Sequence, residues 1–423
     1  MGKTQDMKSR STSSWRSYFA KAAAVRNLPT GIWALGLVSM FMDTSSELVH
    51  SLLPVFMANI LGASMTAIGV IEGVAEATAA VTKVFSGTIS DYFGKRKLLA
   101  VLGYGLAAFT KPIFPLAKTL GWVFTARFID RIGKGIRGTP RDALVACITP
   151  REQLGAAYGL RQSLDSIGAF IGPLLAMVFV AWMAFDIREV LWFAVVPAFV
   201  AVVILVFGVR EPEPRKDKSG ARMSFTLTDI KRLPLNYWLV VLLGGLFTLA
   251  RFSEAFLVLR GKEVGLAIGY VPLVLVVMNI FYALSSYPVG AVADVLGHRT
   301  LLMAGLVVLI AADIFLAKAA SFLPFFAGAA LWGLHMGFTQ GLFSKLVADT
   351  APADFLGTAF GIFNLIVGGA LLLASVIAGA LWSAFGAPAT FMSGAAFSTL
   401  TLLGLTIYRK RPENPVIGDI LNF

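Results

Sequence analysis

Long apolar blocks separated by short polar breaks occupy nearly the whole chain. A bilayer-crossing helix needs ~20 predominantly apolar residues, and twelve such blocks are predicted at 31–61, 67–90, 98–117, 119–143, 155–180, 189–209, 236–259, 269–291, 300–318, 323–345, 357–383 and 388–408. They are too long for strands, and the period-two alternation of a membrane barrel is missing. The pattern also repeats. Gly87 to Lys97, GTISDYFGKRK, returns as GAVADVLGHRT from Gly290 to Thr300, and LVACITPREQLGAAYG (Leu144 to Gly159) matches LVADTAPADFLGTAFG (Leu346 to Gly361) at 8 of 16 positions. The two offsets, 203 and 202, agree. The expected fold is an all-α membrane protein of twelve transmembrane helices in two six-helix, pseudo-symmetric bundles, an arrangement suited to a central site between two rocking halves.

Composition narrows the class. The 423 residues are 57% hydrophobic and 14% charged, against about 25% charged in soluble domains, so a soluble enzyme is excluded. The net charge of +12 is accounted for by topology. Lys3, Lys8, Arg10, Arg16, Lys21 and Arg26, the 95–97 cluster, the basic stretch of 210–232 and Arg409, Lys410 and Arg411 all fall on one side of twelve spans. By the positive-inside rule that side is the cytoplasm, with both termini there and no nucleic-acid partner implied. The predicted division is a tail (1–30), a first bundle (31–210), a basic linker (211–234) with a short interfacial helix around 225–233, a second bundle (235–410) and a second tail (411–423). The first span reads as an uncleaved anchor. The lone Cys147 rules out an intrachain disulfide and cysteine metal sites. No phosphate-cradling Gly-rich loop followed by Lys and Ser/Thr occurs, so any pumping draws on gradients rather than ATP, and no cofactor is expected.

The duplicated loops carry a resemblance. Gly87, Asp91, Gly94, Lys95, Arg96 and Lys97 look like the signature loop between helices two and three of the major facilitator superfamily, and Gly290, Asp294, Gly297, His298 and Arg299 look like its counterpart between eight and nine. Two copies in equivalent loops make the match specific. Arg127 stands at the family's fourth-helix arginine, although Asp130 and Arg131 depart from the usual Gln and Gly. Gly168, Gly172 and Pro173 resemble the fifth-helix Gly-Pro element of antiporters, a spacing that also serves plain helix packing. A vaguer resemblance in helix one points to magnetosome-associated facilitators. The resemblance implies a secondary transporter that alternates access between two bundles, with Asp91 in a gating latch and helices one, four, seven and ten lining the pathway. A bacterial-type inner membrane is the expected location.

The chemistry lies in charges within the spans. Asp43, Ser46, Glu47, His50 and Pro54 recur at steps of three and four, on one helix face. Glu72 and Glu76 share a face of the second span. Arg127, Asp130, Arg131, Lys134, Arg137 and Arg141 fall within about 120° of the fourth. Eight of these facing lipid, at ~3 kcal/mol each, would cost on the order of 24 kcal/mol, more than a typical folding stability of about 5–15 kcal/mol. They must face the interior. Counting residues from the outer ends sets Glu47 level with Arg131 and Lys134, Asp43 with Arg137, and His50 with Asp130. Either an internal salt-bridge network or a substrate and coupling site fits; intramembrane ionisable groups favour the second.

The excess of cations, with Arg127, Arg131 and Lys134 foremost, suits an anionic solute or chelate. Buried carboxylates that compete with the solute for those cations would couple it to protons. Asp43, Glu47 and His50 also form a candidate metal trio, disfavoured by the neighbouring cations. In the second half, Arg251 and Glu254 can pair three residues apart, and Ser253-Glu254 echoes Ser46-Glu47. His335 reads foremost as a satisfied interior histidine. Arg127, Asp130, Arg131 and Lys134 map onto Ala329, Trp332, Gly333 and Met336, so the charged face is not duplicated, and Phe247, Phe252 and Trp332 offer an aromatic wall instead. The expected function is proton-coupled movement of a small anionic or amphipathic solute. The alternatives are iron or iron-chelate transport, and a sensor or scaffold without flux.

Overall fold

A computed structural model describes residues 28–93, 95–150, 153–210, 233–339, 342–352 and 356–407; the linker helix expected around 225–233 lies, apart from Leu233, outside them. Twelve helical rods account for the fold. The first six are α1 (Thr30–Val55, widening into a π turn at Phe56–Ile60), α2 (Met65–Phe93), α3 (Arg96–Thr110, with a further turn at Ile113–Leu116), α4 (Leu120–Ile148), α5 (Leu154–Met177, then a π turn at Val178–Trp182) and α6 (Ile187–Phe193 and Val195–Gly208). The second six are α7 (Leu235–Ala250 and Ala255–Glu263), α8 (Leu273–Leu296), α9 (His298–Lys318), α10 (Phe322–Thr339 and Leu342–Thr350), α11 (Leu356–Phe385) and α12 (Ala387–Ile407). The expectation of an unbroken seventh span is corrected: α7 opens at 251–254, leaving Arg251 and Glu254 on a break rather than on one helix face.

Nine rods are long and apolar enough to cross a membrane among the described residues. The three outside that set, α1, α2 and α4, are those with the clustered intramembrane charges read from the sequence. Their cost in lipid is avoided by packing inward.

Packing repeats pair by pair. In the first half α1 lies on α5 and α6, α2 on α4, and α3 on α4 and α6; in the second α7 lies on α11 and α12, α8 on α10, and α9 on α10 and α12. The halves meet along α2–α11 and α5–α8, two seams that the repeat exchanges. The seams are close because glycine permits it. A Cβ on Gly69 would stand 2.3 Å from the Ser375 carbonyl oxygen, one on Gly379 2.4 Å from that of Met65, and one on Gly269 2.7 Å from Ala181 Cα. Thr66 donates to Ser383 Oγ at 2.9 Å across the first seam.

These approaches sit toward the end that carries the α1–α2 and α5–α6 turns. There one hydrophobic core runs continuously from Leu48–Met57 of α1 into the second half. At the opposite end the first half closes around a separate core, built from Ile32, Leu35, Tyr104, Leu144 and Leu205 among others. Near that end, a Cβ on Gly155, Gly159 or Gly361 would meet nothing within 4 Å. The halves are joined most closely at the end that carries the α1–α2 and α5–α6 turns.

Candidate functional site

The site begins with how closely α5 approaches α1. A Cβ on Gly168 would come 2.4 Å from the Met40 carbonyl oxygen, and one on Gly172 2.6 Å from that of Thr44. The Gly168, Gly172 and buried Pro173 element therefore serves close packing, and it covers the back of α1 so that the polar face turns to the middle. Ser45, on another side of α1, donates to the Ala194 carbonyl at 2.6 Å.

On the inward side, α2 and α4 run parallel and set their charges in rungs. Arg127 grips Glu72 with two parallel hydrogen bonds, Nε to Oε1 at 3.1 Å and Nη2 to Oε2 at 2.5 Å, and both side chains are sealed from solvent. One turn along, Arg131 Nη2 meets Glu76 Oε1 at 2.9 Å. The next turn of α4 brings Lys134, but the facing turn of α2 is Ala79 and Ala80, and Gly135 packs there against the Ala79 carbonyl. The ladder is one acid short. Lys134 has no ion pair within 4.0 Å among the described residues and is exposed.

The depth register between α1 and α4 does not by itself give bonded partners, although Glu47, Arg131 and Lys134 line one cavity. Glu72 and Glu76, not Glu47, hold the arginines, and Asp130 bonds Lys111 Nζ on α3 at 2.9 Å rather than His50. Matching heights fixes how deep a residue lies but not which way it points; α4 packs along α2 and α3 and touches α1 only lightly. Lys111 also donates to Ser46 Oγ at 3.1 Å, which anchors Asp130 away from the middle. His50 stands between Glu47 (Nδ1–Oε2 3.5 Å) and Glu72 (Nε2–Oε2 3.9 Å).

A cavity of about 360 Å³ separates the halves. From the first half Glu47, His50, Glu76, Arg131 and Lys134 face it; from the second come Arg251, Phe252, Ser253 and Glu254 of the α7 break, together with Trp332. Glu72, Arg127 and Asp130 lie behind its surface. Arg251 and Glu254 do not pair within 4.0 Å; the Arg251 guanidinium carbon lies 5.5 Å from the centre of the Phe247 ring. Phe252 and Trp332 touch at 5.3 Å and form the aromatic side. Two bonds tie the break into place. Ser253 N–H donates to Ser375 Oγ at 3.2 Å, and its hydroxyl reaches Glu72 Oε2 in the other half at 3.4 Å.

Asp43 lines a different cavity of about 170 Å³, with Gln162, Asp165 and Ser166 of α5 and Asn279 and Tyr282 of α8. The metal trio is therefore corrected. Asp43 lies apart from Glu47 and His50, and no three potential ligands gather at one point among the described residues. Arg137 covers the Tyr104 ring at 4.7 Å, and Arg141 donates to Ser39 Oγ at 3.0 Å, so both serve the α1–α3–α4 packing.

In the duplicated loops, Gly87 and Asp91 fall in the last turns of α2, and Gly290 and Asp294 in those of α8. Gly94 and the side chains at 91 and 294 lie outside the described residues. Gly297 turns the chain with φ +78°, a conformation glycine adopts without cost. Lys95 is exposed ahead of α3, and Arg96 donates to Cys147 Sγ near the end of α4. Lys97 Nζ donates to the Val206 carbonyl of α6 at 2.8 Å, while Arg299 Nη2 donates to Leu405 and Thr406 of α12 at 2.6 and 3.0 Å. Each basic loop thus caps the last helix of its own half, where carbonyls lack partners.

Sequence reasoning missed Lys111, Asp165 and Asp313. Lys111 and Asp313 each interrupt an apolar run, the signal that marks intramembrane function by default.

A family profile for the Major Facilitator Superfamily matches residues 35–278 and 255–419. An uncharacterized MFS-type transporter of Methanocaldococcus jannaschii is 31% identical over 384 residues, covering 89% of this chain and 94% of its own. Among solved structures, the nucleoside transporter NupG superposes with a TM-score of 0.72 at 14% identity over 89% of this chain and 99% of that one. A bacterial homolog of the human lysosomal transporter Spinster gives 0.69 at 15%, over 89% and 95%. At those identities the two structures speak for the fold alone.

Proposed function

Because the chain belongs to the major facilitator superfamily, and so is a membrane transporter rather than an enzyme, we propose that it moves a small anionic or amphipathic solute by alternating access, coupled to protons. One observation carries the reading. Lys134 of the first half and Arg251 of the second face the same cavity, and neither is committed to an ion pair within 4.0 Å among the described residues. An anion lodged between them would satisfy both and draw the halves together. At an effective dielectric near 20, each contact at about 4 Å contributes roughly 4 kcal/mol before desolvation. The cavity falls within the ~300–1,000 Å³ range of small-molecule sites, and Phe252 with Trp332 gives an amphipathic solute an apolar surface.

The carboxylates supply the coupling. Glu47, Glu76 and Glu254 share the cavity with the cations. A proton on Glu76 frees Arg131 for the solute, one on Glu47 or Glu254 removes a competing negative charge, and solute binding favours those protons in turn. The distribution of basic residues favours a cytoplasmic setting for the end away from the seams, and opening of that end would let the solute exchange there, in a bacterial-type inner membrane. Closure of that end against the seams at the other would expose the site to the opposite face.

Purified protein in liposomes, given a pH gradient and a panel of organic anions, cations and neutral compounds, tests the reading. Gradient-dependent accumulation of one or more anions, lost in Lys134→Gln and in Arg251→Gln, is expected. Movement of cations or neutral compounds only, or undiminished anion movement in both variants, would overturn it. A scaffold would move nothing.

A further inference from the structure

Between Arg299 and Lys318, α9 carries a single ionisable residue, Asp313. It is fully buried, and neither carboxylate oxygen has a hydrogen-bond partner among the described residues. The carboxyl group rests against α12 where Gly394 leaves room: a Cβ there would stand 2.7 Å from Asp313 Oδ2 and 3.2 Å from Phe252 Cε1. Asp313 thus lies just behind Phe252, whose other side faces the central cavity. The second wall residue, Trp332, holds His335 edge-on at 5.4 Å. His335 is equally buried, and neither ring nitrogen has a hydrogen-bond partner of normal geometry.

No cation pairs with Asp313 within 4.0 Å among the described residues: Arg260 of α7, which reaches α9 one turn away, is spent on the Leu316, Ala317 and Ala319 carbonyls and on Glu263. Of the elements packed on α9, α12 (Ala387–Ile407) has no ionisable side chain, and the first segment of α10 has His335 alone. Its second segment has Lys345 and Asp349, paired with each other at 3.0 Å. Tyr282 of α8 faces the Asp43 cavity. Arg251 and Glu254 lie on the cavity side of the aromatic wall. A bare, unbonded carboxylate in such a place costs several kcal/mol, whereas the neutral acid costs far less. A group that never ionised would do nothing there that an asparagine amide could not.

We propose that Asp313 is a proton-binding site of the second half, loaded while sealed behind Phe252 and Trp332, and opened to the central cavity when that wall moves. The proton then leaves the carboxyl oxygen for a cavity water or for His335, and incoming water solvates the carboxylate left behind. The solute would bridge the two halves while this proton sits within the second alone, so that rocking of the halves links the two. The coupling role rests on the transport reading of the central cavity; the existence of the proton site does not.

Infrared difference spectra of the full chain in liposomes, recorded as pH is stepped from acid to alkaline, test the site with the proton as probe. The expected result is a protonated-carboxyl band that persists at neutral pH, disappears at alkaline pH and is absent from Asp313→Asn. Asp313→Glu should retain the band at a shifted frequency, separating loss of the site from loss of the fold, and Phe252→Ala should speed its hydrogen–deuterium exchange. A band unchanged in Asp313→Asn, or one that never titrates, would overturn the proposal. Anion uptake whose dependence on the pH gradient survives Asp313→Asn would overturn the coupling role while leaving the anion reading intact. A titrating, Asp313-dependent band without any anion movement would remove the anion reading and keep the site.

Discussion

The two halves share one packing scheme but hold charge in opposite ways. In the first, α2 and α4 present Glu72–Arg127 and Glu76–Arg131 as stacked, bonded rungs, with Lys111–Asp130 behind them. In the second, the corresponding stretch of α10 is Ala329, Trp332, Gly333 and Met336, and the ionisable groups at or just behind the cavity wall, Arg251, Glu254, Asp313 and His335, stand outside any ion pair within 4.0 Å among the described residues. The contrast shows that duplicated architecture does not require duplicated chemistry. On the proposed reading, the satisfied ladder stiffens one wall of the cavity, while the unsatisfied groups leave the other free to respond to a solute or a proton.

Breaking the ladder at its sealed rung should cause the largest change. Glu72→Gln leaves Arg127 buried without its counter-charge, and a loss of about 3–5 kcal/mol is expected. Denaturant unfolding in detergent would register it, and Glu72→Gln combined with Arg127→Met should recover most of the loss. Smaller is the effect of Gly172→Val, whose added atoms meet Thr44 O, Leu48 N and Glu47 Cβ within 2.9 Å. About 1–3 kcal/mol is expected from such overpacking, together with displaced Glu47 chemistry in the cavity. Lys134→Gln sharpens the contrast between bonded and free charge. Stability should change by less than about 1 kcal/mol, yet anion transport should fall roughly tenfold to a hundredfold, as loss of a charge-assisted contact implies. Equal losses of stability in Lys134→Gln and Glu72→Gln would erase the distinction. Least affected should be Arg299→Ala, which removes a cap on α12 and costs about 0.3–1 kcal/mol, with transport retained.

Much of this was legible in the chain. The twelve rods and their pairing by repeat followed from block length and from the duplicated loops, because hydropathy reports depth and a repeat reports topology. The inward orientation of the helix-four charges followed from their cost in lipid. Their partners did not, because the azimuth of α4 is set by glycines that the sequence leaves without an assigned partner: Gly133 against Gly103 of α3 and Gly135 against Thr82 of α2. The break in α7 was equally silent, since Arg251-Phe252-Ser253-Glu254 contains neither glycine nor proline. Asp313 stood in plain view within an apolar run, but its lack of a partner emerges only once α10 and α12 surround it.

The most direct measurement is a charge reversal at the two free cations. With whichever anion the liposome panel identifies, Lys134→Glu and Arg251→Glu should each abolish accumulation while the purified variants unfold at denaturant midpoints close to that of the parent protein. Full anion accumulation in either folded variant would contradict the bridging of the halves by a single bound anion.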